Sequence, residues 1–423
     1  MKFIDFFQFI LAMVATFWAA YEIVSLPQIQ GLTNLLNHPD VIPKLSLIPD
    51  IADTDLFIAV FIIPLAVQWW AVWYPGAEPG GGGYVAQRML SAKDEKNAIW
   101  ATLLFNFMHY AVRPWPWILV ALASLVVFPD LDSIQQAFPN ITEDKLGNDL
   151  AYPAMLTKLP TGLLGLVLAS LISAYMSTIS TQLNWGSSYI VYDFYQTQIN
   201  PSASQKQLVA VGRISTVLLM VLSTLLALLL QNAMQLFNLL LVFGAGTGLI
   251  FILRWFWWRI NAWSEITALA TSIVITISFE IIAYFQTINN NLEYSLFGYA
   301  PSIFGMSLQV HHKLMIIVPI AIIAWVTVTL FTEPEPMTKL ESFYKRVQPG
   351  GWWGPVTSSF DHTLQPVTKG IFILWLAGVM MIYGFTFGIG NLIFQNYNAS
   401  VILFGFAGIG SYLIWNRNIS KLT

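Results

Sequence analysis

The chain has 423 residues, of which 56% are hydrophobic and only 10% are charged, and its formal net charge is −3. An average soluble domain carries roughly 25% charged residues, so a soluble protein with this composition could not cover its surface. The small net charge does not indicate a nucleic-acid partner. The sequence has no cysteine, which excludes disulfide frameworks, iron–sulfur clusters and cysteine nucleophiles. These features predict an all-α polytopic protein of the lipid bilayer.

Apolar stretches long enough for a helix to cross a bilayer occur at ten places along the chain. They lie at 3–24, 55–75, 98–128, 161–196, 207–231, 233–257, 262–286, 314–332, 370–394 and 398–416. Of the 19 lysines and arginines, Arg113 lies inside a span and four fall in loops on one side, Lys44, Lys145, Lys158 and Lys313. The other fourteen fall on the opposite side. The positive-inside rule therefore predicts cytoplasmic termini, in a plasma or inner membrane.

The span at 161–196 carries a stripe of hydroxyl side chains. Its members are Ser177, Thr178, Ser180 and Thr181, and the carbonyl of Ala174 lies one turn before them. Several hydroxyl and carbonyl oxygens, with at most one carboxylate, suit a monovalent hard cation such as sodium. The alternative is that these are small residues that pack between helices, which is common in membranes.

Ionisable residues inside the predicted spans are the next candidates, because they are costly in lipid and often functional. Asp5 opens the first span, where it is either part of a site or an interfacial acid stabilised by the helix dipole. His109 and Arg113 lie one turn apart on the 98–128 span. An intramembrane arginine needs a partner, and we expect Glu22 or Glu280 to brace it.

Two glycine-rich segments interrupt the apolar pattern. Gly244 to Gly248 lies within the 233–257 span, where small residues predict close helix packing. Prolines and glycines between 75 and 83 break the 55–75 span, and a broken helix exposes backbone groups only where it lines a cavity. We therefore predict a solute site at the break, contacted by Trp69, Trp70, Trp73, Tyr74 and Glu78. The alternative is a packing or lipid-facing aromatic cluster.

Four blocks of sequence resemble the sodium:solute symporter family, which includes sodium/glucose, sodium/proline and sodium/sialic acid cotransporters. The run from Ala174 to Leu183 is similar to the sodium-binding helix of that family. Asp5-Phe6-Phe7-Gln8 is similar to the D-x-x-Q opening of its fifth core helix, and 87–93 to the Q-R-x-L-x-A-K loop after the sixth. The segment 243–265 resembles the end of the tenth. The four blocks follow in order over 1–286.

The resemblance implies a leucine-transporter-like inverted repeat of five plus five helices. It implies a first sodium site at Ala174, Ser177 and Thr178. A second site is implied at Asp5 with Ser177, Ser180 and Thr181. Because 3–24 matches the fifth core helix, we expect an N-terminally incomplete fold, from truncation or from a separately encoded complement. Residues 1–286 would then form the later helices of the core, and 287–423 the C-terminal helices with a cytoplasmic linker.

The leading hypothesis is sodium-coupled secondary symport of a small organic solute, such as a sugar or an amino acid, by alternating access. Sodium would be the coupling ion, with no organic cofactor and no nucleic-acid partner. One alternative is a non-transporting sensor or scaffold that keeps the symporter fold. Another is a proton-coupled transporter with Asp5 and His109 as proton carriers. We do not expect an enzyme, because the loops contain no recognisable nucleophile–base pair or metal cluster.

Overall fold

The computed structural model describes residues 2–68, 89–142, 145–230, 233–290, 300–303, 305–358 and 368–422. In this part of the chain, eight helices are long and apolar enough to cross a membrane. They are α1 (Lys2–Val24), α2 (Glu95–Val127), α3 (Thr161–Ile199), α4 (Gln205–Leu229), α5 (Ala262–Asn289), α6 (Val310–Phe331), α7 (Thr368–Ile393) and α8 (Tyr397–Leu422). The prediction of an all-α, polytopic membrane protein is confirmed.

Short elements fill the connections between the long helices. They are the helical segments Leu32–Leu36, Ile42–Lys44, Leu131–Ala137, Asn148–Leu150, Ala151–Leu156, Met337–Val347 and Gly354–Thr357. Two two-residue strands, β1 (Ser302–Ile303) and β2 (Met306–Ser307), pair antiparallel ahead of α6. Two long helices change their winding: α2 passes through π-helical turns at Phe107–Val112, and α3 ends in them at Tyr189–Ile199.

Two of the ten predicted spans differ from a continuous membrane helix. The span at 55–75 begins as Thr54–Phe57, continues as π-helical turns at Ile58–Ile62 and Pro64–Gln68, and its remainder lies outside the described residues. The span at 233–257 is divided into two helices, Ala233–Gly244 and Gly248–Leu253.

The break in the second of these spans corrects the prediction that Gly244 to Gly248 lies inside a helix. The backbone N–H of Gly246 donates to Ser272 Oγ on α5 at 3.0 Å, so it bonds across helices rather than within its own. A Cβ at Gly246 would collide with Ser272 and with Ala321 of α6. Close packing through small residues is therefore present, as expected, but it accompanies a helix break.

The chain divides into two compact units. The first comprises Met1–Leu45 and Arg113–Ala233, and the second Ser46–Val112 and Met234–Thr423. In the first unit α1 packs against α3 and against the Pro114–Val127 part of α2, and α3 packs against α4. The predicted division at residue 286 stays a prediction.

The second unit contains two helix pairs, α5 with α6 and α7 with α8. The pair α7–α8 is a hairpin with close backbone contact, since a Cβ at Gly384 would lie 2.8 Å from the backbone nitrogen of Ala407. The Phe107–Val112 turns of α2 pack against α7. These contacts place Leu103 and Phe385 beside the buried Met381.

Polar groups join the beginning of α5 to the end of α6. Asn261 caps α5 by accepting from the backbone N–H of Ser264 at 3.1 Å, and its Nδ2 donates to Thr332 Oγ1 at 2.8 Å. Arg259 donates from Nε and Nη2 to the carbonyls of Thr329 and Leu330, at 3.1 and 2.8 Å. Because the last carbonyls of a helix lack partners within it, a guanidinium at this end is a favourable cap.

Candidate sodium site

The hydroxyl stripe of α3 bonds to its own helix. Thr178 Oγ1 donates to the carbonyl of Ala174, and Thr181 Oγ1 to the carbonyl of Ser177, each at 2.9 Å. Hydroxyls on helices commonly donate to the carbonyl one turn earlier. Such a hydroxyl has used its hydrogen but keeps its oxygen lone pairs, and those lone pairs are what a cation coordinates.

The stripe lies on an accessible part of the first unit. Ala174, Thr178 and Ser180 are exposed, and Ser177 and Thr181 are half-buried. Only 17% of the most apolar stretch of α3 is buried, against 33% in α5. The oxygens of α3 are therefore accessible to a ligand within this unit.

The helix that carries Asp5 packs against the stripe-bearing helix in the opposite direction. Trp18 and Glu22, near the end of α1, line a small cavity with Pro160, Leu163 and their neighbours at the beginning of α3. The end of one helix thus lies against the beginning of the other, as it does for antiparallel neighbours.

Helix geometry then gives the level of Asp5 along the pair. Asp5 lies seventeen residues before Glu22, and Ser180 lies seventeen residues after Leu163. At ~1.5 Å of rise per residue, both positions are about 25 Å from the shared cavity. The start of α1 and the hydroxyl stripe are therefore at about the same level, and the sequence alone could not determine this.

Helix periodicity gives the angular position of Asp5 on α1. Ala15, Ala19 and Ile23 are buried on this helix. Asp5 lies eighteen residues before Ile23, which is five full turns of about 3.6 residues, so it occupies the same angular position. The side chain of Asp5 lies outside the described part of the structure, and only its place on the helix enters this argument.

Gln8 is a candidate ligand that the sequence motif contained but that sequence reasoning did not select. It lies one turn after Asp5, and its Oε1 is buried with no hydrogen-bond partner in the part of the chain that the structure describes. A buried carbonyl oxygen without a partner is costly, whereas a cation would satisfy it. The available signal was the D-x-x-Q spacing itself, which puts both residues on one face.

The five predicted solute contacts, Trp69, Trp70, Trp73, Tyr74 and Glu78, all lie outside the described residues, as does the predicted helix break at the proline–glycine run. The solute site therefore stays a prediction. No group of three His, Asp or Glu side chains able to hold a metal occurs among the described residues. The hydroxyl, carbonyl and amide oxygens of α1 and α3 fit sodium rather than a transition metal.

The other predicted intramembrane polar groups have separate surroundings. His109 stacks on Phe105 with ring centroids 5.4 Å apart. The guanidinium of Arg113 lies 4.8 Å from the ring of Trp117, and Glu22 accepts from the indole of Trp18 at 3.1 Å.

Glu280 takes part in an ion pair that the sequence did not predict. Its Oε1 lies 3.6 Å from Nζ of Lys313, and the two side chains are only 10% and 13% exposed. The assignment of Lys313 to a loop is wrong, because α6 begins at Val310 and includes it. The helix starts earlier than hydropathy indicates, because burying a lysine that is paired with a glutamate costs less free energy than burying an unpaired lysine.

Comparison with known proteins identifies the family. The model of the sodium:solute symporter family matches residues 5–275, which is more than half of the chain. The sodium/glucose cotransporter of Vibrio parahaemolyticus is 27% identical over 202 residues, covering 46% of this chain and 37% of the relative. The human sodium/myo-inositol cotransporter 2 is 30% identical over 207 residues, covering 45% and 30%. Sodium/glucose cotransporter 4 of Danio rerio is 29% identical over 204 residues, also covering 45% and 30%.

The aligned part thus spans about a third of the length of these curated relatives. The matched residues include α1 from Asp5 onward, α3 with the whole hydroxyl stripe, and the beginning of α5. The resemblance inferred from the four sequence blocks is therefore confirmed, and this chain belongs to the sodium:solute symporter family.

Proposed function

We propose that this chain takes part in the sodium-coupled symport of a small organic solute. The observation that carries the proposal is the pairing of α1 with α3, which brings the buried Oε1 of Gln8 to about the level of the hydroxyl stripe. The cotransporters that match this chain are named for glucose and myo-inositol, which supports a sugar or polyol as the solute. Sodium is the coupling ion, and both termini are cytoplasmic at the plasma membrane.

The proposed ion site combines one charge with several neutral oxygens. Asp5 supplies the carboxylate, Ser177, Ser180 and Thr181 supply hydroxyls, and Gln8 supplies an amide oxygen. The carbonyl of Ala174 and the hydroxyls of Ser177 and Thr178 form part of the other, neutral site on the same helix, the first of the two that the family resemblance implies. One carboxylate balances the single charge of sodium, and a divalent ion would need more acidic ligands.

Coupling follows from differential binding. Sodium that bridges α1 and α3 stabilises the arrangement in which these two helices are close, and it shifts the population toward that state. If the solute prefers the same state, each ligand raises the affinity of the other by the same factor. The proline- and glycine-rich segment after residue 68 is the proposed solute site, with Trp69, Trp70, Trp73, Tyr74 and Glu78 as contacts.

The test is sodium-dependent stabilisation of the purified chain in detergent, with potassium chloride at equal ionic strength as the reference salt. We expect sodium to raise the melting temperature of the unmodified chain, and Asp5→Asn, Gln8→Leu and Ser177→Ala each to reduce that shift. The matched control is Thr224→Val on α4, whose hydroxyl also donates to a carbonyl of its own helix, at 2.8 Å. If the sodium shift survives Asp5→Asn and Ser177→Ala, the site assignment is wrong.

Transport itself is tested in proteoliposomes with a panel of labelled sugars, polyols and amino acids under an inward sodium gradient. We expect uptake that stops when potassium replaces sodium. Uptake driven by a pH gradient without sodium would favour the proton-coupled alternative. A sodium-dependent melting shift without uptake of any solute would favour a sensor or scaffold.

A further inference from the structure

A cavity of about 430 Å³ lies in the second unit, where α6 ends and α5 begins. We call it the rim pocket. Its walls are the turn from Arg254 to Ala262 and the segment from Glu335 to Trp353. It is formed entirely by residues of the second unit, whereas Gln8 and the hydroxyl stripe belong to the first.

Backbone pairing between distant segments builds the pocket. The N–H of Trp352 donates to the carbonyl of Phe256 at 2.6 Å, and the N–H of Trp258 donates to the carbonyl of Trp352 at 3.3 Å. Gly351 has a φ of +96°, and a Cβ there would collide with Phe256, so glycine is required at this approach. The indole of Trp353 donates to the carbonyl of Trp255 at 3.0 Å.

The amphipathic helix Met337–Val347 covers the other side of the pocket. It buries Leu340 and Tyr344 against Trp353, and the ring of Phe343 stacks on Trp353 at 5.5 Å. The wall is therefore held by packing and by hydrogen bonds from both directions. A wall fixed in this way is preorganised for a ligand.

The lining combines indole and phenyl rings with charges of both signs. Trp255, Trp257, Trp258, Phe343 and Trp353 form the aromatic surface. The charged groups are Arg254, Glu265 and Glu335. Arg254 Nη1 lies 3.2 Å from Glu265 Oε1, and Glu335 Oε2 lies 3.4 Å from Nζ of Lys339.

Large apolar side chains around the pocket are exposed. Phe331 is 88%, Trp352 66% and Trp263 61% exposed. Exposed aromatic residues at the end of a membrane helix are typical of the boundary between hydrocarbon and headgroups. This pattern predicts that the mouth of the rim pocket lies at the depth of lipid headgroups, with apolar surface available to acyl chains.

We propose that the rim pocket binds the headgroup of a phospholipid that carries an ammonium group. The ammonium lies among the indole faces, where cation–π attraction and the carboxylates of Glu265 and Glu335 stabilise it. The phosphate accepts from Arg254, whose five N–H donors allow it to keep Glu265 as well. Of the charged side chains that line the pocket, one is positive and two are negative. Lys339, the cation that pairs with Glu335, is 72% exposed and does not line the cavity, so an ammonium headgroup can take its place on Glu335, which the glycerol headgroup of phosphatidylglycerol cannot do.

The test uses the full chain, purified and delipidated in detergent, with phosphatidylethanolamine and phosphatidylglycerol of identical acyl chains. Bound lipid is counted by native mass spectrometry. We expect phosphatidylethanolamine to bind at least tenfold more tightly, and Glu335→Gln or Trp255→Ala to abolish the preference. Soluble phosphoethanolamine in excess displaces the lipid only weakly, because it lacks the acyl chains that contact Phe331 and Trp263.

The matched control is Glu333→Gln, an exposed acid two residues from Glu335 that does not line the pocket. It should keep the preference in full. Equal binding of the two lipids overturns the proposal. The proposal is also overturned if the preference for phosphatidylethanolamine persists in both Glu335→Gln and Trp255→Ala. It is overturned as well if Glu333→Gln removes that preference as effectively as Glu335→Gln does. Circular dichroism of each variant separates loss of binding from loss of fold.

Discussion

On α3, Thr178 and Thr181 donate to carbonyls of their own helix and stay at least partly accessible. At the junction of α5 and α6, by contrast, Ser264 and Thr329 are fully buried, and their hydroxyls lie 2.6 Å apart across the two helices. Threonine hydroxyls thus bond within a single helix in one place and between helices in the other.

The difference separates structural hydroxyls from candidate ligands. A buried hydroxyl that bonds a neighbouring helix holds that neighbour in place, and its loss leaves a polar partner unsatisfied. An accessible hydroxyl that bonds its own helix contributes little to packing, so its substitution should affect binding rather than stability. Burial and the direction of the bond, rather than residue type, distinguish the two roles.

The largest effect is expected from removing one member of the buried ion pair in the second unit. Lys313→Met leaves Glu280 in an apolar environment without the ammonium, so the free energy of unfolding should fall by about 3–5 kcal/mol. The measurement is unfolding by SDS titration in mixed micelles. The double variant Lys313→Met/Glu280→Gln should recover most of the loss. If Lys313→Met lowers the free energy of unfolding by less than ~1 kcal/mol, the ion pair does not stabilise the fold.

A smaller loss is expected at the helix break. Gly246→Ala forces a Cβ against Ser272, Ala321 and the carbonyl of Ala268, and overpacking of this kind costs about 1–3 kcal/mol. The control is Gly165→Ala on α3, where a Cβ meets no atom within 4 Å and the change should be neutral or stabilising. Equal effects of the two variants in the SDS titration would contradict the close packing at Gly246.

The cross-helix hydroxyl pair should contribute less again. Ser264→Ala removes the partner of Thr329, which keeps its bond to the carbonyl of Trp325 at 2.6 Å, and it also removes the hydroxyl that bonds Asn261 at the cap of α5, so we expect a loss of about 1–2 kcal/mol. The control is Ser278→Ala on the same helix. It removes a hydroxyl that donates to the carbonyl of Val274, one turn earlier on α5, at 2.8 Å. It should change stability by less than ~0.5 kcal/mol. The comparison fails if Ser278→Ala is as costly as Ser264→Ala.

The smallest effect on stability and the largest on ion binding are expected on α3. Thr178→Val keeps the shape of the side chain and should alter unfolding without sodium by less than ~0.5 kcal/mol. It should also reduce the stabilisation that sodium adds. That stabilisation depends on the ratio of the sodium concentration to the dissociation constant for sodium, which the loss of a ligand raises. Melting curves over a sodium series measure both. A large loss of stability without sodium would place Thr178 with the structural hydroxyls.

Several features were predictable because they depend on local sequence. Hydropathy located the long spans, and the hydroxyl stripe together with the D-x-x-Q block identified the family. The break at Gly246 was not predictable, because its N–H bonds to Ser272, twenty-six residues away on α5. The position of Lys313 inside α6 was missed for a similar reason, since its cost is offset by Glu280 on another helix.

The sequence by itself determined that this is an all-α membrane protein of the symporter family, because apolar length and motif spacing are properties of contiguous residues. The tertiary structure alone decided which polar groups are paired across helices and which remain accessible. It set Asp5 and Gln8 at the level of the hydroxyl stripe through the antiparallel packing of α1 on α3. It also brought Trp352 beside Phe256 to close the rim pocket. Long-range pairing of this kind depends on how helices pack, which periodicity within one segment does not specify.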